Sequence, residues 1–314
     1  MTGAARKIAA AIAARGPVPF SEFMEIALYD PDCGYYRSAR DPFGREGDYF
    51  TASQLQPVFG RIVAAAMRAC RDELGAGAGF TVVEWGAGRG ELAGALSEFN
   101  YVGVDAARGA PPSAFTGAVF ANELFDALPV NVVRRRGGQW REMRVGLVGD
   151  GFGWVEGPAA EDFREEAEEG QWRERPVRMR GVLEAMCAGL VRGFVIVIDY
   201  GYTRRELPRF PQGTLMAYRK HQALDTIFER PGEQDLTAHV DWDALRECAL
   251  ELGLAPVRFE SFAQWLLRAG ERDQFAGALE APDEAEAARL RLQLKTLLVS
   301  MGESFRVAVW RKGA

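Results

Sequence analysis

Lysine, histidine and paired cysteines are scarce in this chain of 314 residues. Of its 38 basic residues, only Lys7, Lys220, Lys295 and Lys312 are lysines. Beside so much alanine and glycine, this arginine excess reads as GC-rich coding rather than as a function. The 2 histidines, His221 and His239, are too few for a histidine-rich metal centre. Cys33, Cys70, Cys187 and Cys248 are scattered with no C-x-x-C pair, which argues against structural zinc and against a disulfide framework. No apolar run is long enough to span a bilayer. A net charge of −6 does not suggest a general nucleic-acid binder, which would want a basic face, and suits a cationic partner somewhat better. No internal repeat is visible, and the acid-rich stretch 161–169 reads as a solvated segment.

The segment Met1 to Arg15 is alanine-rich, basic and free of acids. A mitochondrial transit segment has that composition, and so does a short surface helix stopped by Gly16-Pro17. The surface helix is the simpler expectation, and with it a cytoplasmic, reducing setting.

An apolar content of 48% is ample for one sizeable core, with or without an accessory lobe. A second short helix is expected over Ser21 to Tyr29, with Ser21 near its cap, and an amphipathic helix over 55–74. Short apolar runs at 81–85, 101–104, 118–121 and 194–198 read as strands, and their alternation with helical patterns predicts a parallel α/β sheet. Further helices are expected near 178–191, 241–252 and 283–299, and strands at Leu254 to Phe259 and Phe305 to Trp310. Two stretches break the alternation: a β-meander at about 130–156 and a loop-rich insertion at about 200–240. The expected division is an N-terminal extension over 1–55, closing over a cofactor, and a core over 56–314 that carries both insertions.

The densest signal is Thr81-Val82-Val83-Glu84-Trp85-Gly86-Ala87-Gly88-Arg89-Gly90-Glu91. A strand ends in an acid, three glycines follow at alternate positions, and a helix-like segment, Glu91 to Leu96, comes next. Such a turn at the carboxyl end of a strand is where open α/β sheets bind nucleotide-like ligands. A dinucleotide turn places its third glycine where this chain has Glu91, and a carboxylate there repels a pyrophosphate. The E-x-G-x-G-x-G order instead resembles the first motif of class I S-adenosylmethionine (SAM) methyltransferases, whose ligand brings a sulfonium and an ammonium. A ligand-free glycine turn is the bland alternative.

Acids recur at the other strand ends. Asp105 closes the second strand about twenty residues past the first glycine, a spacing suited to the hydroxyls of a ribose or to a plain turn. The third strand runs into Asn122-Glu123-Leu124-Phe125-Asp126, and the fourth ends at Asp199. Glu123 and Asp126 share a turn face, where paired carboxylates can grip a guanidinium, or one can cap the turn.

Four blocks then resemble one family: Asp41 to Thr51 (DPFGREGDYFT), Val83 to Leu92 (VEWGAGRGEL), Ala121 to Pro129 (ANELFDALP) and Gly232 to Asp241 (GEQDLTAHVD). Asp199-Tyr200-Gly201 and Gly213 to Tyr218 add to them. In this order they are similar to the MidA family of SAM-dependent methyltransferases, which includes the mitochondrial complex I assembly arginine methyltransferase. The resemblance implies a Rossmann-like class I methyltransferase fold with SAM as cofactor. It implies a protein acceptor, an arginine open to symmetric dimethylation, on a subunit of the respiratory complex I type. Glu84, Gly86, Ala87, Gly88, Gly90, Asp105 and Asn122 would hold SAM, with Asp48, Tyr49, Phe50 and Thr51 closing over it. Asn122, Glu123 and Asp126 would line the junction of cofactor and acceptor, and His239 is either catalytic or structural. No metal, nucleic acid or membrane is implied, and the protein would act as a monomer or a homodimer.

One departure from the family is visible. Only about a dozen residues separate Asp105 from the third strand, and Pro111-Pro112 would break a helix there. The sheet is therefore expected to lack one edge strand and its helix, which normally wall the adenine. A small-molecule methyltransferase and a non-catalytic SAM-binding assembly factor are the rival functions.

Overall fold

Short apolar runs separated by helical patterns resolve, in a computed structural model, into two packed units. Residues 1–37, 52, 55–105, 108–219, 222–224 and 226–313 are described. One unit comprises Met1–Phe50, Asp126–Met179 and Tyr202–Asp243; the other comprises Thr51–Phe125, Arg180–Gly201 and Ala244–Ala314.

The second unit is built on a sheet whose strands lie in the order Ala255–Ser261, Phe305–Lys312, Leu190–Tyr202, Phe115–Asn122, Thr81–Trp85, Asn100–Val104. The last four are mutually parallel, and Phe305–Lys312 runs antiparallel between Leu190–Tyr202 and Ala255–Ser261. Phe115–Asn122 and Leu190–Tyr202 are near-continuous apolar runs because a parallel sheet is covered on both faces. The helix Val58–Leu74 supplies part of that cover. Its buried Val58, Phe59, Ile62, Val63 and Met67 recur at helical spacing and join Phe80, Phe120, Phe194, Phe262 and Val307 in one core.

Asn100–Val104 ends the sheet: among the described residues no strand lies beyond it. The short, proline-containing connection to Phe115 thus leaves out an edge strand, as its length predicts. The helix expected over Glu91 to Leu96 is not formed. Residues 88–98 are a chain of turns, with Gly90, Ala93, Ser97 and Phe99 N–H groups each bonded three residues back and only Leu96 four back. Gly90 and Gly94 remove helix propensity there.

The first unit carries an antiparallel sheet, Val18–Pro19, Gln139–Val148, Val130–Arg136, Trp172–Pro176, with Gly151–Ala159 paired on Gln139–Val148. The helices Gly3–Arg15 and Phe20–Tyr29 pack with it through Ile8, Phe20, Phe23, Met24, Leu28, Val130, Val132 and Val145. Ser21 is not the cap of the second helix. Pro19 takes that position, and the Ser21 N–H donates to Asn131 Oδ1 at 3.4 Å. A smaller sheet, Gln222–Leu224, Met216–Arg219, Asp235–Thr237, lies in the same unit. Composition gave no hint of Trp172–Pro176, whose charged side chains hide its period. The helix Phe262–Glu271 also went unread, although Ser261 and Gln264 form a capping box at its start.

Candidate cofactor site

Thr81–Trp85 delivers Glu84 to the carboxyl edge of the sheet, and the chain then turns through Gly86, Gly88 and Gly90, all at positive φ (72°, 50° and 84°). Such angles are open to glycine at no steric cost. A Cβ on Gly86 would also come within 3.2 Å of Leu124 Cδ1.

The N–H groups of Gly86, Ala87, Gly88 and Gly90 are already engaged. Gly86 and Ala87 both donate to the Val104 carbonyl, at 2.9 and 3.2 Å, and Gly88 donates to Asp105 Oδ2 at 2.8 Å. The Gly90 N–H goes to the Ala87 carbonyl at 2.7 Å. A phosphate-binding turn needs free N–H groups and a helix N-terminus behind them. Here four of them are taken and no helix follows, so the dinucleotide alternative fits poorly.

The groups around the turn suit a cation instead. Glu84 is buried, and burial pushes its carboxyl up to about 7, against the opposing pull of the Tyr101 hydroxyl, which donates to Oε2 at 2.5 Å. Asp105 is partly exposed. Its backbone closes a tight loop with Arg108 through N–H to O bonds of 2.8 and 3.1 Å, and the Arg108 guanidinium donates to the Gly88 carbonyl.

Parallel register sets Trp85 beside Ala121, which places Asn122 level with Gly86. The buried Asn122 Oδ1 has no hydrogen-bond partner among the described residues, while Nδ2 donates to Glu123 Oε1 at 2.9 Å. An acceptor left unsatisfied at this edge matches an ammonium donor. Glu123 sits at φ 54°, a conformation a side chain rarely adopts and one met at functional sites. The Ala52 N–H also donates to Glu123 Oε1, at 3.1 Å. The turn is held from behind by Asp199, fully buried, whose Oδ2 accepts from Leu124 and Phe125 N–H at 3.2 and 2.9 Å and whose Oδ1 accepts from Tyr200 N–H at 2.9 Å. Asp199 is therefore a brace for the Asn122–Glu123 turn. By donor set and by the shape of its glycine bend, the edge fits SAM.

The structure brings Glu84, Gly86, Ala87, Gly88, Gly90, Asp105, Asn122 and Glu123 into one unit. Asp126 and His239 fall in the other. There the Asp126 carbonyl accepts the Ala238 N–H at 2.8 Å, and the His239 N–H donates to Thr214 Oγ1 at 3.0 Å. The His239 ring meets Phe210 edge-on at 5.2 Å, and burial lowers its pKa, so the imidazole is neutral at pH 7. Asp48, Tyr49, Phe50 and Thr51 lie outside the described residues. Sequence reasoning missed Tyr101 and Ala52. Tyr101 had a signal, an aromatic polar residue on the strand beside Glu84.

A family model of S-adenosyl-L-methionine-dependent methyltransferases matches residues 97–259. The chain belongs to this family. It is 31% identical to a protein from Burkholderia thailandensis crystallised with S-adenosyl-homocysteine, with a TM-score of 0.88 over 98% of this chain and 92% of that one. The Drosophila melanogaster protein arginine methyltransferase NDUFAF7 homolog is 26% identical over 96% of this chain and 83% of its own length. The human protein arginine methyltransferase NDUFAF7 is 25% identical over 94% and 80%. The chain is a SAM-dependent methyltransferase with a class I fold, and SAM is its cofactor. The expected cytoplasmic setting does not stand, because both of these relatives are named mitochondrial. Among the described residues, no helix is long and apolar enough to cross a membrane.

Proposed function

We propose that the enzyme methylates an arginine of a protein acceptor. What supports this reading most is a likeness to protein arginine methyltransferases that covers nearly all of this chain and about four-fifths of theirs. The family resemblance further suggests an acceptor subunit of the respiratory complex I type and symmetric dimethylation.

Glu84, Gly86, Ala87, Gly88, Gly90 and Asp105 are assigned to the cofactor, with Asn122 Oδ1 as acceptor for its ammonium and Asp48, Tyr49, Phe50 and Thr51 as a cover. When bound, SAM supplies an activated methyl whose loss leaves a neutral thioether. The protein then has no developing anion to stabilise, and its work is alignment and exclusion of water. A guanidinium keeps its proton at any physiological pH, with a pKa above about 12. A carboxylate such as Glu123, fixed by Asn122 and Ala52, orients that cation and draws its charge away from the attacking nitrogen. Asp126 and His239 are the remaining acceptor-side candidates.

The test is incubation of the protein with methyl-labelled SAM and a lysate containing respiratory complex I subunits, followed by mass spectrometry. The expected result is label on arginine of a protein. Label confined to small molecules, or to other side chains, would refute the reading.

A further inference from the structure

The helix Glu284–Lys295 lies beyond residues 97–259, which the family model matches, yet it belongs to the same unit as the glycine turn. Asp283 caps it by accepting the Glu286 N–H at 2.9 Å, and the fully buried Leu290 anchors it in the core. Arg289 and Gln293 stand one helical turn apart on one face. Both donate to the same acceptor, the Gln56 carbonyl: Gln293 Nε2 at 2.6 Å and Arg289 Nη1 at 3.4 Å. Arg289 is itself held by two bonds to Glu286, at 2.7 and 2.6 Å.

Gln56 is a fixed point at the start of the helix Val58–Leu74. Its Oε1 accepts the Gly60 N–H at 3.2 Å, which satisfies an amide in the first turn. A Cβ on Gly60 would meet that oxygen at 2.5 Å, so glycine leaves it room. Next along, Arg61 donates to the Ala278 and Glu280 carbonyls at 3.2 and 2.8 Å, a second tie to the chain ahead of Glu284–Lys295. Upstream, the Leu55 N–H donates to the Ala52 carbonyl at 3.0 Å. Ala52 is fully buried and donates its own N–H to Glu123 Oε1 at 3.1 Å. A continuous path thus runs from Gln293 through Gln56, Leu55 and Ala52 to Glu123, all in one unit.

The Gln293–Gln56 contact is expensive. It leaves Gln56 Nε2 and Gln293 Oε1 buried with no hydrogen-bond partner among the described residues. An apolar contact would hold the helix without that penalty; a directional bond fixes where the Gln56 carbonyl sits. We propose that Gln293, supported by Arg289, is a positioning residue for methyl transfer: it holds the Gln56 carbonyl and, through Leu55 and Ala52, sets the Glu123 carboxylate. The assignment rests on the reading of Glu123 as the carboxylate that orients the acceptor, and it adds the residue that sets it.

Gln293→Met keeps the length of the side chain and loses the donor. At saturating methyl-labelled SAM, transfer to protein in a lysate containing respiratory complex I subunits should be about 10-fold slower. S-adenosyl-homocysteine affinity, read by calorimetry, should stay within about twofold of wild type. The Glu123→Gln/Gln293→Met double variant should be no slower than Glu123→Gln alone, because both changes act through one carboxylate. The Ala52 amide, followed by NMR hydrogen exchange with S-adenosyl-homocysteine bound, should exchange at least about 10-fold faster in Gln293→Met. Should Gln293→Met fail to fold, Gln293→Asn, one methylene shorter, is read in the same way. Normal transfer by the folded variant, or losses that multiply in the double variant, would overturn the positioning role. So would an unchanged Ala52 exchange rate, whatever the acceptor is. Slow Glu123→Gln beside normal Gln293→Met would remove the positioning role alone, whereas full transfer by Glu123→Gln would remove the reading beneath it.

Discussion

The Tyr101 hydroxyl donates to Glu84 Oε2 across neighbouring strands, at the edge where the sheet stops short. The bond favours the ionised carboxylate, whereas burial favours the protonated form and wins, raising the pKa to about 7 from 4.5. A raised carboxyl binds its proton more tightly in the folded state. Its stabilising contribution is full below about pH 4.5 and is lost as pH rises through about 7. Glu84→Gln should therefore stabilise the cofactor-free protein at pH 8, by up to about 3 kcal/mol, and give little at pH 4.5. Thermal denaturation at the two pH values checks this.

A cationic ligand beside Glu84 favours the carboxylate and so expels its proton. SAM affinity should rise with pH through about 7, with close to one proton released per SAM bound below that point. Tyr101→Phe removes the donor, moves the midpoint upward and weakens binding at pH 7. Calorimetry in buffers of different ionisation enthalpy reads the proton count. An affinity flat between pH 6 and 8 would mean that Glu84 does not face the positive charge.

Glu123→Gln keeps the shape of the side chain and loses its charge. The variant should bind SAM normally and turn over about 100-fold more slowly, seen in kcat with KM for SAM unchanged. Full turnover would remove Glu123 from the mechanism.

Asp199 accepts three backbone N–H bonds with no solvent to replace them. Asp199→Ala should cost about 3 kcal/mol of stability, and Asp199→Asn less, as read by urea unfolding. SAM binding should suffer in both, because the Asn122–Glu123 turn loses its brace.

Gly86→Ala puts a Cβ on a left-handed residue and against Leu124. A loss of about 1–2 kcal/mol is expected from the backbone alone, with SAM affinity falling in parallel. A variant with wild-type melting temperature and affinity would show that the bend tolerates a side chain.

Much of the cofactor unit was legible in the chain because its strands are short apolar runs closed by Glu84, Asp105, Asn122 and Asp199, and a parallel sheet brings such ends to one edge. The turn through residues 88–98 was not. Its apolar spacing imitates a helix, and only the hydrogen bonds show that one does not form. The role of Asp199 was equally hidden: an acid at a strand end looks the same whether it meets a ligand or three backbone donors. The packing of the N-terminal helices with strands near 130 and 145, and the Gln293–Gln56 bond, join residues too far apart in sequence for any local pattern to announce.

A glycine bend whose Gly86, Ala87 and Gly88 amides are taken by Val104 and Asp105 has little to offer a triphosphate tail. Selection at this bend would turn on charge, with a cationic ligand favoured over a phosphorylated one.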